Sequence, residues 1–125
     1  MSKKVQKQIV FKVEDQEKFT ELMEDKKRLL VIDFHLNWCG PCGIMEQNYR
    51  SIYFNTEDAD ARIGFYTCPE DFIPQETLAA FQHGPLTCKP RICIFLEGQL
   101  KEEVNGADFT NIERAVKKFL PSLDD

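Results

Sequence analysis

Residues 29–42 run Leu29-Leu30-Val31-Ile32-Asp33-Phe34-His35-Leu36-Asn37-Trp38-Cys39-Gly40-Pro41-Cys42. The first eight are nearly all apolar and rich in Leu, Ile, Val and Phe. A run of that kind and length predicts a buried central strand. Ile44, Met45 and Tyr49 follow at helical spacing. Two cysteines three positions apart therefore fall where a strand ends and a helix begins.

That position carries a chemical expectation. The first turn of a helix has unpaired N–H groups and the positive end of the helix dipole. A thiolate there gains ~0.3–1 kcal/mol, or ~2 kcal/mol if partly buried. The dipole alone thus lowers a cysteine pKa by about one unit. The thiolate is the nucleophile. Cys39, at the predicted tip, is the expected attacking sulfur, and Cys42, one turn deeper, the expected resolving sulfur. The i, i+3 spacing brings two Cβ atoms close enough for a strained disulfide. Half of a zinc site and a pair of structural thiols are the competing readings. Cys88-x4-Cys93 is the one candidate second pair, and Cys93 sits inside an apolar strand pattern, so no metal and no cofactor are expected.

The chain has 125 residues, 42% of them hydrophobic, with 10 Phe, which suits one domain over 1–125 with its core at about 8–120. Net charge is −5, with both signs interspersed. No basic patch with interleaved aromatics appears, so nucleic acid is not an expected partner. Neither a signal-peptide pattern nor an apolar run of ~20 residues is seen, so no membrane span is expected. The five cysteines, an odd count without a leader, favour a reducing, cytoplasmic setting over a secreted disulfide framework.

The rest of the chain alternates strand and helix patterns. Gln8–Val13 reads as a strand, and Asp15 caps a helix whose inner face is Phe19, Leu22 and Met23. Lys26-Lys27-Arg28 reads as a solvated helix exit. Arg62–Thr67 is a strand that Cys68-Pro69-Glu70-Asp71 breaks. Gln75–Gln82 is a short helix stopped by Gly84. Ile92–Leu96 and Leu100–Val104 form a hairpin about Glu97-Gly98-Gln99. Thr110-Asn111-Ile112-Glu113 has the form of a capping box, with Phe109, Ile112, Val116 and Phe119 on one helical face and Pro121 at the end.

The β-α-β-α-β-α-β-β-α order, joined to Trp38-Cys39-Gly40-Pro41-Cys42, resembles the thioredoxin family over about Gln8 to Leu120. The resemblance implies an α/β thioredoxin fold, a five-stranded mixed sheet flanked by four helices. It implies catalytic roles for Cys39, Cys42 and Asp33. The family's matching Asp lies beneath the second cysteine and assists its proton transfer, and burial should raise its pKa. It implies a cis-proline at Pro90, which turns the Lys89 backbone toward a peptide substrate. The substrate-facing set is then Trp38, Gly40, Pro41, Lys89, Pro90 and Gly106, and Cys88, two residues before Pro90, is a candidate regulatory thiol.

Several positions depart from the usual pattern, and they cluster on the substrate face. His35 stands where an aromatic is usual, Gly43 follows the second cysteine in place of a basic residue, and Gln47 replaces a kinking proline. The third strand lacks the lysine that pairs with the Asp, and Arg91 stands where Thr is usual. Met45, the missing proline, Cys88-x-Pro90, Phe95, Gly98-x-Leu100 and Gly106-Ala107 resemble the thioredoxin-like light chains of ciliary outer-arm dynein. This resemblance implies a dynein heavy chain as protein partner, residence in the cilium axoneme and a structural or redox-sensing role. A free cytosolic disulfide reductase acting on disulfide-bearing proteins is the alternative. Glu97, Glu102 and Glu103 are expected to offer exposed charge for steering a partner.

Overall fold

The computed structural model describes residues 7–37 and 43–122. The Trp38–Cys42 motif lies outside the described residues. Within them the chain runs β1 (Val10–Lys12), α1 (Gln16–Met23), β2 (Leu29–His35), α2 (Glu46–Phe54), α3 (Ala59–Arg62), β3 (Ile63–Pro69), α4 (Gln75–Ala79), β4 (Arg91–Leu96), β5 (Gln99–Asn105) and α5 (Phe109–Phe119). Single 3₁₀ turns occupy Gly43–Met45 and Glu70–Phe72.

The five strands form one sheet in the order β1-β3-β2-β4-β5. β3 runs parallel to both β1 and β2, whereas β4 is antiparallel to β2 and to β5. This is the expected mixed sheet. The four expected helices appear as α1, α2, α4 and α5, and α3 is an additional single turn. All seven residues of β2 are buried. That follows from its central place, with a strand on each edge and helices over each face.

Side-chain alternation along β2 divides the core in two. Leu29 and Val31 join Met45, Tyr49 and Ile52 from the α2 side and Ile112, Ala115 and Val116 from α5. Leu30, Ile32 and Phe34 join Phe19 and Leu22 from α1, together with Cys93 and Phe95 from β4. Phe34 lies edge-on to Phe95, 6.2 Å between ring centroids, and 5.4 Å from Phe81.

Local chemistry sets the ends of the elements. The Asp15 side chain accepts from the Lys18 amide at 2.7 Å and caps α1 as the sequence predicts. The β4–β5 turn has positive φ at both Glu97 (54°) and Gly98 (77°). Two such residues make the turn whose twist matches a hairpin. Gly98 has a second constraint, because an added Cβ would stand 2.6 Å from the Met23 carbonyl oxygen.

Four sequence expectations are corrected. β3 continues through Cys68 to Pro69, because its pairing with β2 extends that far, to His35↔Pro69. α4 ends at Ala79 rather than Gln82, since the backbone amides of Gln82 and His83 turn away to the Glu103 carboxylate. The α5 cap is Asp108, whose carboxylate accepts from the Asn111 amide, and Thr110 lies inside the helix. Arg28 is not a solvated helix end. Its guanidinium is half-buried, donates to Asp25 at 2.7 Å and to the Tyr66 hydroxyl at 2.8 Å, and lies over the Tyr66 ring. Desolvation works against charge on both partners, yet the mutual hydrogen bond holds Asp25 below and Arg28 above the usual range.

The cap assignment gives a direct comparison. Asp108→Ala should lower the free energy of unfolding by about 1 kcal/mol. Thr110→Ala, at an exposed helical position, should change it by less than about 0.5 kcal/mol. Urea titration with an unchanged slope checks both, and equal losses would restore Thr110 as the cap.

Candidate redox site

The site is built at the pole where β2 ends. The register sets Phe34 opposite Arg91, and Arg91 opposite Asn105. The next residues on from these pairs, His35, Pro90 and Gly106, therefore lie across neighbouring strands at one end of the sheet. The Gly106 amide donates to the Pro90 carbonyl oxygen at 2.8 Å, fastening the start of β4 to the exit of β5. Gly106 has φ +97°, with open space where a Cβ would stand. Backbone conformation, not crowding, calls for glycine here.

Asp33 is 3% exposed. Alternation places it on the face of β2 that α2 and α5 cover, in line with Leu29 and Val31. Its strand neighbours are Thr67 on β3 and Ile92 on β4. The Thr67 hydroxyl is buried without a hydrogen-bond partner among the described residues. Thus Asp33 is buried, as the sequence predicts, on the helix face where the chain resumes after the cysteine motif. His35 is also buried and packs as expected for a structural side chain. Its Nδ1 lies 3.0 Å from the Leu36 carbonyl oxygen, as an N–H donor would.

Trp38, Cys39, Gly40, Pro41 and Cys42 lie outside the described residues. Of the remaining expected site residues, the structure brings Asp33, Pro90 and Gly106 to one pole, and Lys89 and Cys88 lie exposed on the loop entering β4. The Lys89–Pro90 bond is trans, which corrects the expected cis geometry. The trans isomer is the lower by about 0.5–1 kcal/mol in an ordinary X-Pro bond. The loop is held by other means: Lys89 donates its amide to the Thr87 hydroxyl, and Pro90 accepts from Gly106.

The two free cysteines among the described residues are different in kind. Cys68 and Cys93 are fully buried. Burial pushes the Cys68 thiol up to about 12. Burial also pushes Cys93 well above the ordinary value, and the nearby Glu103 carboxylate adds to it. Both are inert as nucleophiles.

Sequence reading missed one feature near this pole. Glu103 is not an exposed steering charge. Its side chain is 5% exposed and pairs with Arg91, itself 1% exposed, at 2.9 Å. The signal available in the sequence was Arg91 itself, a charged residue opening an apolar strand. Glu97 is exposed as expected, but it stands at the β4–β5 turn, the far end of the sheet.

The Thioredoxin family model matches residues 10–118, and the chain belongs to the thioredoxin family. It is 27% identical over 100 residues to the dynein 14 kDa light chain of the flagellar outer arm from Chlamydomonas reinhardtii, covering 80% of this chain and 72% of that one. It is 30% identical to thioredoxin H2 of Arabidopsis thaliana, covering 81% and 69%. Among solved structures, the thioredoxin NaTrxh from Nicotiana alata superposes with a TM-score of 0.67 at 20% identity, covering 96% of this chain and all of that one, a likeness of fold. The protein is thus thioredoxin-like and related both to dynein light chains and to thioredoxins.

Raised thiol pKa values have a pH signature. Above the ordinary pKa of 9.0, an unfolded Cys68 loses its proton while the folded one keeps it up to about 12. The native state then binds more protons, so stability falls as pH rises between about 9 and 12. Cys68→Ala is expected to make that fall shallower in urea titrations at pH 8, 9.5 and 10.5. An unchanged slope would mean that the Cys68 thiol titrates normally.

Proposed function

We propose that the protein is a dithiol–disulfide redox protein that serves as a light chain of axonemal outer-arm dynein. The observation that carries the chemical half is Asp33: a carboxylate buried on the α2 face of the strand that leads into Cys39-Gly40-Pro41-Cys42. A carboxyl group at that place can exchange a proton with a thiol of the motif. The 27% identity to a flagellar outer-arm dynein light chain supports the assembly half.

The chemistry follows from thiol–disulfide exchange. The Cys39 thiolate attacks one sulfur of a disulfide in a protein substrate. A Cys39–substrate mixed disulfide forms, and the first substrate sulfur leaves as a thiolate and is protonated. Cys42, giving its proton to Asp33, attacks the Cys39 sulfur. The Cys39–Cys42 disulfide forms, and the second substrate thiolate leaves. The substrate is reduced by two electrons and the protein dithiol is oxidised. In a dynein-bound light chain the same dithiol reports the redox state of its surroundings. The partner is a dynein heavy chain, and the location is the cilium axoneme within the cytoplasm. The identity to thioredoxin H2 supports a second reading, a free cytosolic disulfide reductase.

A redox-sensing light chain must keep Cys39 accessible, so docking uses another face. Replacing Cys39 and Cys42 together by Ser should abolish disulfide reduction yet leave co-sedimentation with axonemal dynein intact. Release of the variant from dynein would place docking on the redox face. A wild-type protein that sizes as a free monomer in a ciliated-cell extract would favour the reductase. Asp33→Asn should slow resolution of the mixed disulfide by roughly 10²-fold, within the range for a lost general base, in a rapid-quench assay. A wild-type rate would remove Asp33 from the mechanism.

A further inference from the structure

β1 is an edge strand, and β3 separates it from β2. Phe11, at its centre, is 44% exposed, although it is a large apolar side chain. Its ring lies 6.2 Å from that of Tyr66, which is buried and lies under the Arg28 guanidinium. Both rings line an open groove of about 580 Å³ between β1 and α1. The same groove is lined by Glu14, Asp15, Glu17 and Glu21 and by Lys12 and Lys18, four carboxylates against two ammonium groups.

The chain does not match this charge itself. The Asp15 carboxylate is occupied with the Lys18 amide as the cap of α1. Among the described residues, no hydrogen bond or ion pair reaches the side chains of Glu14, Glu17 or Glu21. Glu17 and Glu21 stand at i and i+4 on α1, where like charges repel. Glu21 also lies in the last turn, where the helix dipole disfavours an acid and no basic residue offsets it. An exposed aromatic beside a row of free carboxylates is complementary to an outside segment that carries cations around an apolar anchor.

The edge itself is closed to a further strand. Val13 donates its amide to Thr67 on β3, so alternation turns the Val10 carbonyl to the outer edge. There it accepts from the side chain of Gln8, Nε2 to O at 3.0 Å. An added strand would break that bond, so an occupant engages the groove through its side chains.

We propose that the groove between β1 and α1 is the docking site for a dynein heavy chain, and that it receives a segment rich in Lys or Arg with one apolar side chain seated on Phe11 and Tyr66. The proposal rests on the light-chain reading above and names the face which that reading leaves open. The cations stand against Glu14, Glu17 and Glu21, which speeds encounter and sets register. The apolar anchor on the two rings supplies the larger share of the affinity.

The test is co-sedimentation of the intact protein with axonemal outer-arm dynein from which its own light chains have been extracted. Four proteins are compared: wild type, Glu17→Lys with Glu21→Lys, Phe11→Ser, and Glu57→Lys with Glu76→Lys. The last makes the same change of charge at two exposed acids on other elements. All the substitutions are at exposed positions, and circular dichroism confirms that each variant is folded. The α1 reversal should weaken binding by at least about tenfold and Phe11→Ser by about fivefold, with the control within about twofold of wild type. Wild-type binding should weaken as NaCl rises from about 50 to about 300 mM. Wild-type affinity in the α1 reversal or in Phe11→Ser, or an equal loss in the control, would overturn the docking site and leave the light-chain reading in place. A wild-type protein that does not co-sediment with the dynein overturns the light-chain reading itself, and the docking site falls with it.

Discussion

The pairing of β2 on both of its edges is the constraint on which the rest depends. β2 is hydrogen-bonded to β3 along seven residues and to β4 along five, and all seven of its residues are buried. Its two faces seed the two halves of the core. A one-residue slip would exchange those faces and send Asp33 to the side of α1 and α4. Register is therefore set by burial, and with it the direction of the chain that leaves β2 for the cysteine motif. A substitution that weakens this strand disturbs the pole where it ends and both halves of the core together.

Two buried charged sites stand next to that strand and are handled differently. Asp33 projects to the face that α2 and α5 cover. Arg91, across from Phe34, projects to the other face and is matched by Glu103. Alternation alone separates them, so a buried carboxyl group and a buried ion pair lie on opposite faces of the sheet near the same pole. Cys93, between β2 and β5 in the sheet, is close enough to the ion pair for the Glu103 carboxylate to act on its pKa, yet burial keeps it neutral and unreactive.

Strong local signals were legible in the sequence. The apolar run of β2, the hairpin with Gly98 and the capping residue Asp15 each state a physical requirement in adjacent residues. The order of elements followed from such signals, and joined to the Trp38–Cys42 motif it carried the resemblance to the thioredoxin family. What escaped were features whose partners are far apart in sequence. Glu103 reads as one more surface acid in the alternating strand Leu100–Val104, and only the return of residues 82–85 over β4 buries it. Arg28 reads as the last of three basic residues, and only Tyr66 on β3 gives it a reason to be half-buried. The capping box at Thr110 matched a pattern, but Asp108 is two residues earlier and its carboxylate took the role. Position 90 carried a family expectation of geometry that the trans bond does not follow. The burial of Asp33 was legible because a carboxylate inside an apolar strand is conspicuous by its desolvation cost.

The central claim is that Cys39, delivered by β2, is a nucleophile resolved by Cys42. Trapping tests it most directly. Cys42→Ser leaves the attacking thiol but removes the resolving one, so incubation with insulin under non-reducing conditions should accumulate a mixed disulfide that mass spectrometry maps to Cys39. Cys39→Ser should trap none. Accumulation on any other cysteine, or no covalent adduct with Cys42→Ser, would contradict the account.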